Sequence, residues 1–293
     1  MDHNKVMVSV IIPTYNREKT ISKSVLSVAN QSVRNIEVLV IDDGSTDATG
    51  EVIRTLSAED PRIKYYKQEN GGANKARNLG IRLAAGKYVA FNDSDDIWRQ
   101  DKIKKELEIL QNRREYRGVF SKFELHYVNE NRSLVRPKRV EKPLYHQLMV
   151  ANVVNTPNFI IEKKVIQEMG GFNEELRRFQ DWELATKISR KYNLFFLDEI
   201  LTDTYQFGSG HLSNNITAAY ESYHLIEREF EEDRNRNPRV KRDFYFYRAM
   251  FFYGTEEFKS ALFGSLKKCN YNLILIAKLS LKYMQLLAQR RKK

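Results

Sequence analysis

Short β-branched runs alternate with helical periodicity through the first hundred residues. Val6–Ile12 reads as a strand, followed by a helix from about Thr20 to Asn30. Ile36–Ile41 is a second strand, with a helix opening near Ser45 or Thr46. Ile63–Tyr66 is a weaker third strand before a helix over Ala73–Leu83, and Tyr88–Phe91 a fourth before a helix over Gln100–Gln111. This alternation predicts parallel strands joined by right-handed crossovers. The second half is less regular. Val119–Tyr127 alternates as a strand does, and Arg132–Pro143 is basic, contains proline and reads as an exposed loop. Asn158–Ile161 leads into a helix to Met169 that Gly170-Gly171 stops, Trp182–Lys191 is helical, and helical pattern dominates from Ile216.

In parallel sheets ligands sit beyond the carboxyl ends of the strands, and here those ends are polar. Pro13-Thr14-Tyr15-Asn16 follows the first strand, Asp42-Asp43-Gly44-Ser45-Thr46-Asp47 the second, and Asn92-Asp93-Ser94-Asp95-Asp96 the fourth. Carboxylates gathered on one rim repel unless protons or cations neutralise them. A hard divalent cation with a diphosphate needs only one or two protein carboxylates, and Asp93-Ser94-Asp95 offers two. The same tripeptide also makes a helix cap, with acidic residues complementing the helix dipole. Asp42-Asp43-Gly44 is turn chemistry, and the Asp43 carboxylate can in addition accept from the N3–H of a pyrimidine. Gly71-Gly72 opens a helix whose Arg77 can reach a phosphate, or stand in solvent.

Two phosphate signatures are missing from the pattern. No G-x-G-x-x-G follows the first strand, which argues against dinucleotide binding. Gly80 to Lys87 resembles a P-loop but has five residues between its glycines and ends in Tyr88, without the Ser or Thr that would hold magnesium.

Composition narrows the class. A chain of 293 residues, 42% hydrophobic, suffices for one large α/β domain plus an appendage, or two modest domains. The single cysteine, Cys269, forms no internal disulfide and fits a reducing compartment, so a cytoplasmic location is expected. The apolar run Val6–Ile12 is too short for a signal peptide, and no run is long enough to span a bilayer. The net charge of +11 is concentrated: residues from Phe258 to Lys293 carry nine Lys and Arg and no Asp or Glu, leaving +2 for the rest. That distribution argues against nucleic acid as the partner.

Val8-Ser9-Val10-Ile11-Ile12-Pro13-Thr14-Tyr15-Asn16, Ile41 to Asp47, Ala76-Arg77-Asn78 and Phe91 to Asp96 stand in the order and spacing of the family 2 glycosyltransferases, which the chain resembles from about Val6 to Ser213. The resemblance implies an α/β fold of the GT-A type, Rossmann-like, with a mainly parallel central sheet flanked by helices and a mostly helical C-terminal extension. It implies a catalytic domain over 1–215, with a nucleotide-sugar half over about 1–100, an acceptor half over 101–215, and a helical region over 216–293. The implied activity is inverting transfer from a nucleoside-diphosphate sugar, usually UDP-linked. Pro13, Thr14 and Tyr15 would line the nucleoside pocket, Asp43 would bind the base, and Arg77 and Ser94 would lie near the donor. Asp95 would ligate Mn2+ or Mg2+, with Asp93 near the ribose or the metal.

Inversion requires a general base on the face opposite the leaving diphosphate. Gly170-Gly171-Phe172-Asn173-Glu174 and Phe179-Gln180-Asp181-Trp182-Glu183-Leu184 are similar to the family's acceptor-side segment, which makes Asp181 the candidate base. Its competing role is an N-cap for the following helix. Gln180 stands where many relatives carry an acid. Tyr205 to Ser213 resembles a loop that folds over the donor, but Gln206 replaces a frequent Arg, and His211 is a further candidate metal ligand. The acceptor implied is a saccharide or lipid-linked saccharide of surface polysaccharide or glycoconjugate synthesis. Alternatives are a nucleotidyltransferase, which would show a Gly-rich basic loop after the first strand, and a non-catalytic binding protein on a transferase fold.

Leu273–Gln289 forms an amphipathic pattern, with Lys278, Lys282, Gln285 and Gln289 on one polar stripe and Arg290-Arg291-Lys292-Lys293 beyond. Residues 271–293 therefore suit either peripheral contact with the inner face of an anionic membrane or packing on the catalytic domain.

Overall fold

The computed structural model describes residues 6–206, 215–253, 255–270 and 272–290. In chain order the elements are β1 (Val8–Thr14), α1 (Ile21–Ala29), β2 (Ile36–Asp42), α2 (Thr49–Glu59), β3 (Ile63–Lys67), α3 (Ala73–Leu83) and β4 (Tyr88–Phe91). Then come β5 (Ile97–Trp98), α4 (Lys102–Asn112), β6 (Tyr116–Tyr127), β7 (Arg132–Arg136), α5 (Leu144–Leu148), β8 (Phe159–Glu162), α6 (Lys163–Glu168), α7 (Gln180–Lys191) and β9 (Asn193–Gln206). Five helices end the chain: α8 (Ile216–Glu229), α9 (Glu231–Asn235), α10 (Pro238–Phe251), α11 (Phe258–Lys268) and α12 (Leu273–Arg290). They fall into two compact units, the first comprising residues 1–140, 153–176 and 180–211, the second residues 141–152, 177–179 and 212–293.

The first unit holds a mixed sheet in the order β3-β2-β1-β4-β8-β6-β9-β5, with β7 beside β6. β1, β2, β3 and β4 are parallel neighbours, as the alternation predicted. All seven residues of β1 and of β2 are buried, mostly apolar as parallel strands covered on both faces are, with Ser9 Oγ donating to the buried Glu37 carboxylate between them. One face of these strands packs Val8, Val10, Ile12, Val38 and Val40 against Ile21, Val25 and Val28 of α1, spaced at helical intervals. On the other face α3 comes so close that a Cβ on Gly80 would lie 2.5 Å from the Ile11 side chain. That close approach accounts for the glycine of the P-loop-like stretch.

Beyond β4 the sheet turns antiparallel through β8 and β6, while β9 runs parallel to β6. Two expectations need correction here. Arg132–Arg136 is not loop but an edge strand, its pairing with β6 hidden by the charged, exposed side chains such edges carry. The helix expected near Ser45 starts at Thr49, because Ser45 and Thr46 are held in the turn by Asp42 Oδ1 and Asn16 Oδ1. Strand β9, with its half-buried pattern, had no counterpart in the reading of the sequence.

The second unit is helical, with Phe230, Phe244, Tyr245 and Phe252 buried at its centre. Arg234 is buried too, donating to the Ile226 and Glu227 carbonyls and lying 4.0 Å over the Phe244 ring. Among the described residues no helix is long and apolar enough to cross a membrane.

Candidate active site

The carboxyl ends of β2, β1 and β4 lie side by side, so the three polar strand ends share one rim. Hydrogen bonds tie them together. The Thr14 carbonyl accepts from the Asp43 amide at 2.8 Å, and the Asn16 amide donates to Ser45 Oγ at 2.9 Å. Pro13 is buried in β1 opposite Ile41, and the Thr14 side chain is buried as well. Tyr15, at the strand's end, is 46% exposed.

Asp43 is 3% exposed, and its carboxylate organises the next loop. Oδ1 accepts from Gln68 Nε2 at 2.7 Å and the Gly71 amide at 2.9 Å, and Oδ2 accepts from the Gly72 amide at 2.7 Å. Gly72 has φ +92°, a left-handed backbone that glycine adopts without steric cost and that turns its N–H toward Asp43. A carboxylate offers about four acceptor sites, so one on Oδ2 remains for an incoming N–H. The neighbouring Asp42 is wholly structural: it accepts from the Ser45 amide and from Tyr65 Oη. Burial and that bond to Asp42 push the Tyr65 phenol up to about 12.

Arg77 does not stand in solvent: on α3, it is 4% exposed. Its guanidinium donates to Asp93 Oδ1 at 2.8 Å and Asn74 Oδ1 at 3.1 Å and lies 5.4 Å over the Phe172 ring. Arg77 thus addresses the site through Asp93. Asn74 in turn donates to the carbonyls of Asn173 and Leu176, and Asn78 to that of Phe172. These bonds fasten residues 172–176, which lead toward α7, onto the donor-side helix.

The acidic loop after β4 is built on α1. Ser24 Oγ donates to the Asp93 carbonyl at 2.8 Å, and Asn92 Nδ2 donates to Ser24 Oγ at 3.0 Å. Ser94 is buried, and the Asp95 carboxylate lies 3.9 Å from Arg17. Asp96 is buried beneath them, accepting from the Tyr205 amide and Thr204 Oγ1 at 3.2 Å each. Burial first, and then the charges of Asp93 and Asp95, raise its carboxyl well above the usual range. Asp93 and Asp95 are hard oxygen donors, and a divalent cation shared with a diphosphate needs no third carboxylate.

Asp181 lies in the first turn of α7, half-buried, its Oδ1 accepting from the Trp182 amide at 2.8 Å. It thus follows the segment fastened to α3, and because α7 already begins at Gln180, Asp181 is not its N-cap. His211 lies outside the described residues.

One constellation escaped the sequence. Glu124 and His126 of β6 and Asp203 of β9 each offer a ligand atom within 4.8 Å of the others, the one such trio among the described residues. Arg99 already supplies positive charge there, donating to Asp203 at 3.0 and 3.1 Å and to Glu124 at 3.1 Å. Burial opposes ionisation of Asp203, but the hydrogen bonds from Arg99 and His126 outweigh it and hold the carboxyl low. The trio depends on the pairing of β6 with β9, so without a predicted β9 no signal joined residues some eighty positions apart.

Residues 9–169 match the model of glycosyl transferase family 2, more than half of the chain. The chain belongs to that family. Among relatives, it is 35% identical over 204 residues to an uncharacterized glycosyltransferase of Rickettsia conorii, covering 68% of this chain and 33% of the relative. It is 44% identical over 114 residues to the putative teichuronic acid biosynthesis glycosyltransferase TuaG of Bacillus subtilis, covering 39% of this chain and 45% of that one. The chain spans about a third of the length of the Rickettsia conorii and Rickettsia felis relatives it matches. Solved structures share the fold of the family 2 chain. Residues 1–349 of S. aureus TarS, in complex with UDP-GlcNAc, superpose with TM-score 0.68 at 23% identity, covering 89% of this chain and 79% of that one. The mannosyltransferase PcManGT of Pyrobaculum calidifontis, in complex with GDP-Man and Mn2+, superposes with TM-score 0.58 at 18% identity, covering 99% and 76%. The expected GT-A type of fold is thereby met.

Proposed function

We propose that this chain transfers a sugar, with inversion, from a UDP-sugar to a saccharide or lipid-linked saccharide in surface polysaccharide or glycoconjugate synthesis. The observation that carries the reading is the shared rim: adjacent strand ends bring Asp43, with one open acceptor position, alongside the Arg77-bound Asp93 and the neighbouring Asp95. The UDP-GlcNAc bound by TarS, the GDP-Man and Mn2+ bound by PcManGT and the naming of TuaG support it by similarity.

In this reading Tyr15 packs beside the nucleoside and Asp43 Oδ2 accepts from N3–H of the uracil. Asp95, with Asp93, holds Mn2+ or Mg2+. When bound, that ion supplies Lewis-acid stabilisation of the charge developing on the leaving diphosphate. Arg77 keeps the Asp93 carboxylate aimed while the ion is absent, and Ser94 positions the donor side of the loop. Asp181 removes the proton of the attacking acceptor hydroxyl as the anomeric carbon inverts. The work is placed in the cytoplasm, with the chain peripheral on the inner face of the cell membrane.

Isothermal titration of UDP with and without Mn2+, joined to a UDP-release assay over a panel of UDP-sugars and GDP-mannose, tests the reading. Mn2+-dependent UDP binding that Asp95→Ala abolishes is expected. UDP binding that ignores both the metal and Asp95, or no UDP binding at all, overturns it.

A further inference from the structure

Helix α12 has two apolar faces, and only one is used. Leu275 and Leu279, one turn apart, are buried in the helical unit. Leu273 is 80% exposed, Ile274 53% and Leu281 57%, and Ala277 between them is exposed as well. At about 100° per residue these four fall within one arc of the helix, flanked by Lys278 and Lys282. On α11, Phe263 is also exposed, beside Lys259 and Lys267 on the same helix. A helix that only needed to pack would carry polar residues on its outer arc.

Charge identifies the occupant. From Phe258 to Lys293 there are nine Lys and Arg and no acid. Lys278 is held by Asp243 and Lys268 by Glu231, both acids lying earlier in the chain. Among the described residues Lys259, Lys267 and Lys282 form no ion pair, and all three are exposed. A second copy seated symmetrically on this face would bring two acid-free cationic segments together, which like-charge repulsion opposes. A bilayer with anionic headgroups answers both properties at once: it takes the apolar arc into the acyl boundary and the lysines among the phosphates.

We propose that the outer face of α12, with the exposed rim of α11, lies in the surface of an anionic lipid bilayer. This deepens the peripheral location read above and rests on that reading for its biological setting, but its test does not use sugar transfer. Purified full chain is co-sedimented with vesicles of phosphatidylcholine alone and of phosphatidylcholine mixed with phosphatidylglycerol. Partitioning should favour the anionic vesicles by on the order of 100-fold at low salt, from three unpaired lysines, and fall as salt rises. The combined change Leu273→Ser, Ile274→Ser and Leu281→Ser should weaken it at least roughly tenfold. Replacing Lys259, Lys267 and Lys282 by Glu should remove the preference for anionic lipid. All six positions are exposed, so melting temperatures should stay at the parent value.

Equal binding to both vesicles, binding to neither, or binding indifferent to the serine changes overturns the proposal. So does a dimer in solution that the serine changes dissolve, which would assign the face to a second copy. UDP titration on the same preparation separates the outcomes: intact Mn2+-dependent binding with no vesicle partition refutes the membrane face alone.

Discussion

Replacing Arg77 tests whether the acidic loop is aimed from beneath. Arg77→Met keeps an unbranched stem against Phe172 but removes the donors to Asp93 and Asn74. Asp93, whose side chain is 34% exposed, regains water, so its loss is partly compensated. Asn74, 8% exposed, does not, and a buried acceptor left unpaired costs about 1–3 kcal/mol. A net loss of roughly 2–3 kcal/mol corresponds to a fall in Tm of about 5–10 °C for a unit of some two hundred residues. The functional consequence is separate. Substitutions that disorient a metal ligand typically weaken metal binding by about 10–100-fold, so Mn2+ titration in the presence of UDP should show a shift of that size. Arg77→Lys keeps the charge and one contact but not the fork, and should fall between. The reasoning fails if Arg77→Met melts within about 1 °C of the parent, or if it destabilises while leaving Mn2+ affinity untouched.

Asp43→Ala leaves Gln68 and the amides of Gly71 and Gly72 without their acceptor, so a loss of about 2–4 kcal/mol should appear in urea unfolding along with loss of UDP binding; unchanged stability would show the loop to be held otherwise. Asp181→Asn should lower transfer by about 10²–10⁴-fold while Mn2+-dependent UDP binding persists, and equal loss of both would assign Asp181 a structural role. Glu227 supplies a pH test in the helical unit. Burial opposes its ionisation, but His224, Arg248 and Tyr245 prevail and lower it to about 2. A folded value below the unfolded 4.5 means stability that is complete above pH 4.5 and lost as pH falls toward 2, about 3 kcal/mol in all. Urea titrations from pH 7 to pH 3 should therefore show a smaller acid loss in Glu227→Gln, and parallel curves would refute the assignment.

The parallel half of the sheet was legible because its logic is local. Strands buried on both faces are mostly apolar, so β1, β2 and β4 announced themselves, and the residues just after them are where parallel sheets meet ligands. Asp43, Asp93 and Asp95 are candidates by that rule alone. What the sequence concealed depends on distance along the chain. Asp96 looks like one more acid of the loop, yet its partners are Thr204 and Tyr205, on a strand whose half-buried alternation resembles no simple pattern. Arg132–Arg136 reads as a loop because an exposed edge strand is charged for the same reason a loop is.

Arg77 shows why residue type alone leaves a partner undecided. An arginine at a glycine-led helix start has two destinations, an incoming phosphate or a carboxylate already present, and only the three-dimensional placement of Asp93 decides between them. Once that pair forms, the chemistry divides along the rim. Asp43 is saturated on Oδ1 and open on Oδ2, which suits recognition of one fixed N–H. Asp93 is held from below by a buried cation that cannot leave, while Asp95 faces Arg17, 45% exposed, at 3.9 Å. In the proposed reading Asp95 is the direct metal ligand, while Asp93 stays beside Arg77.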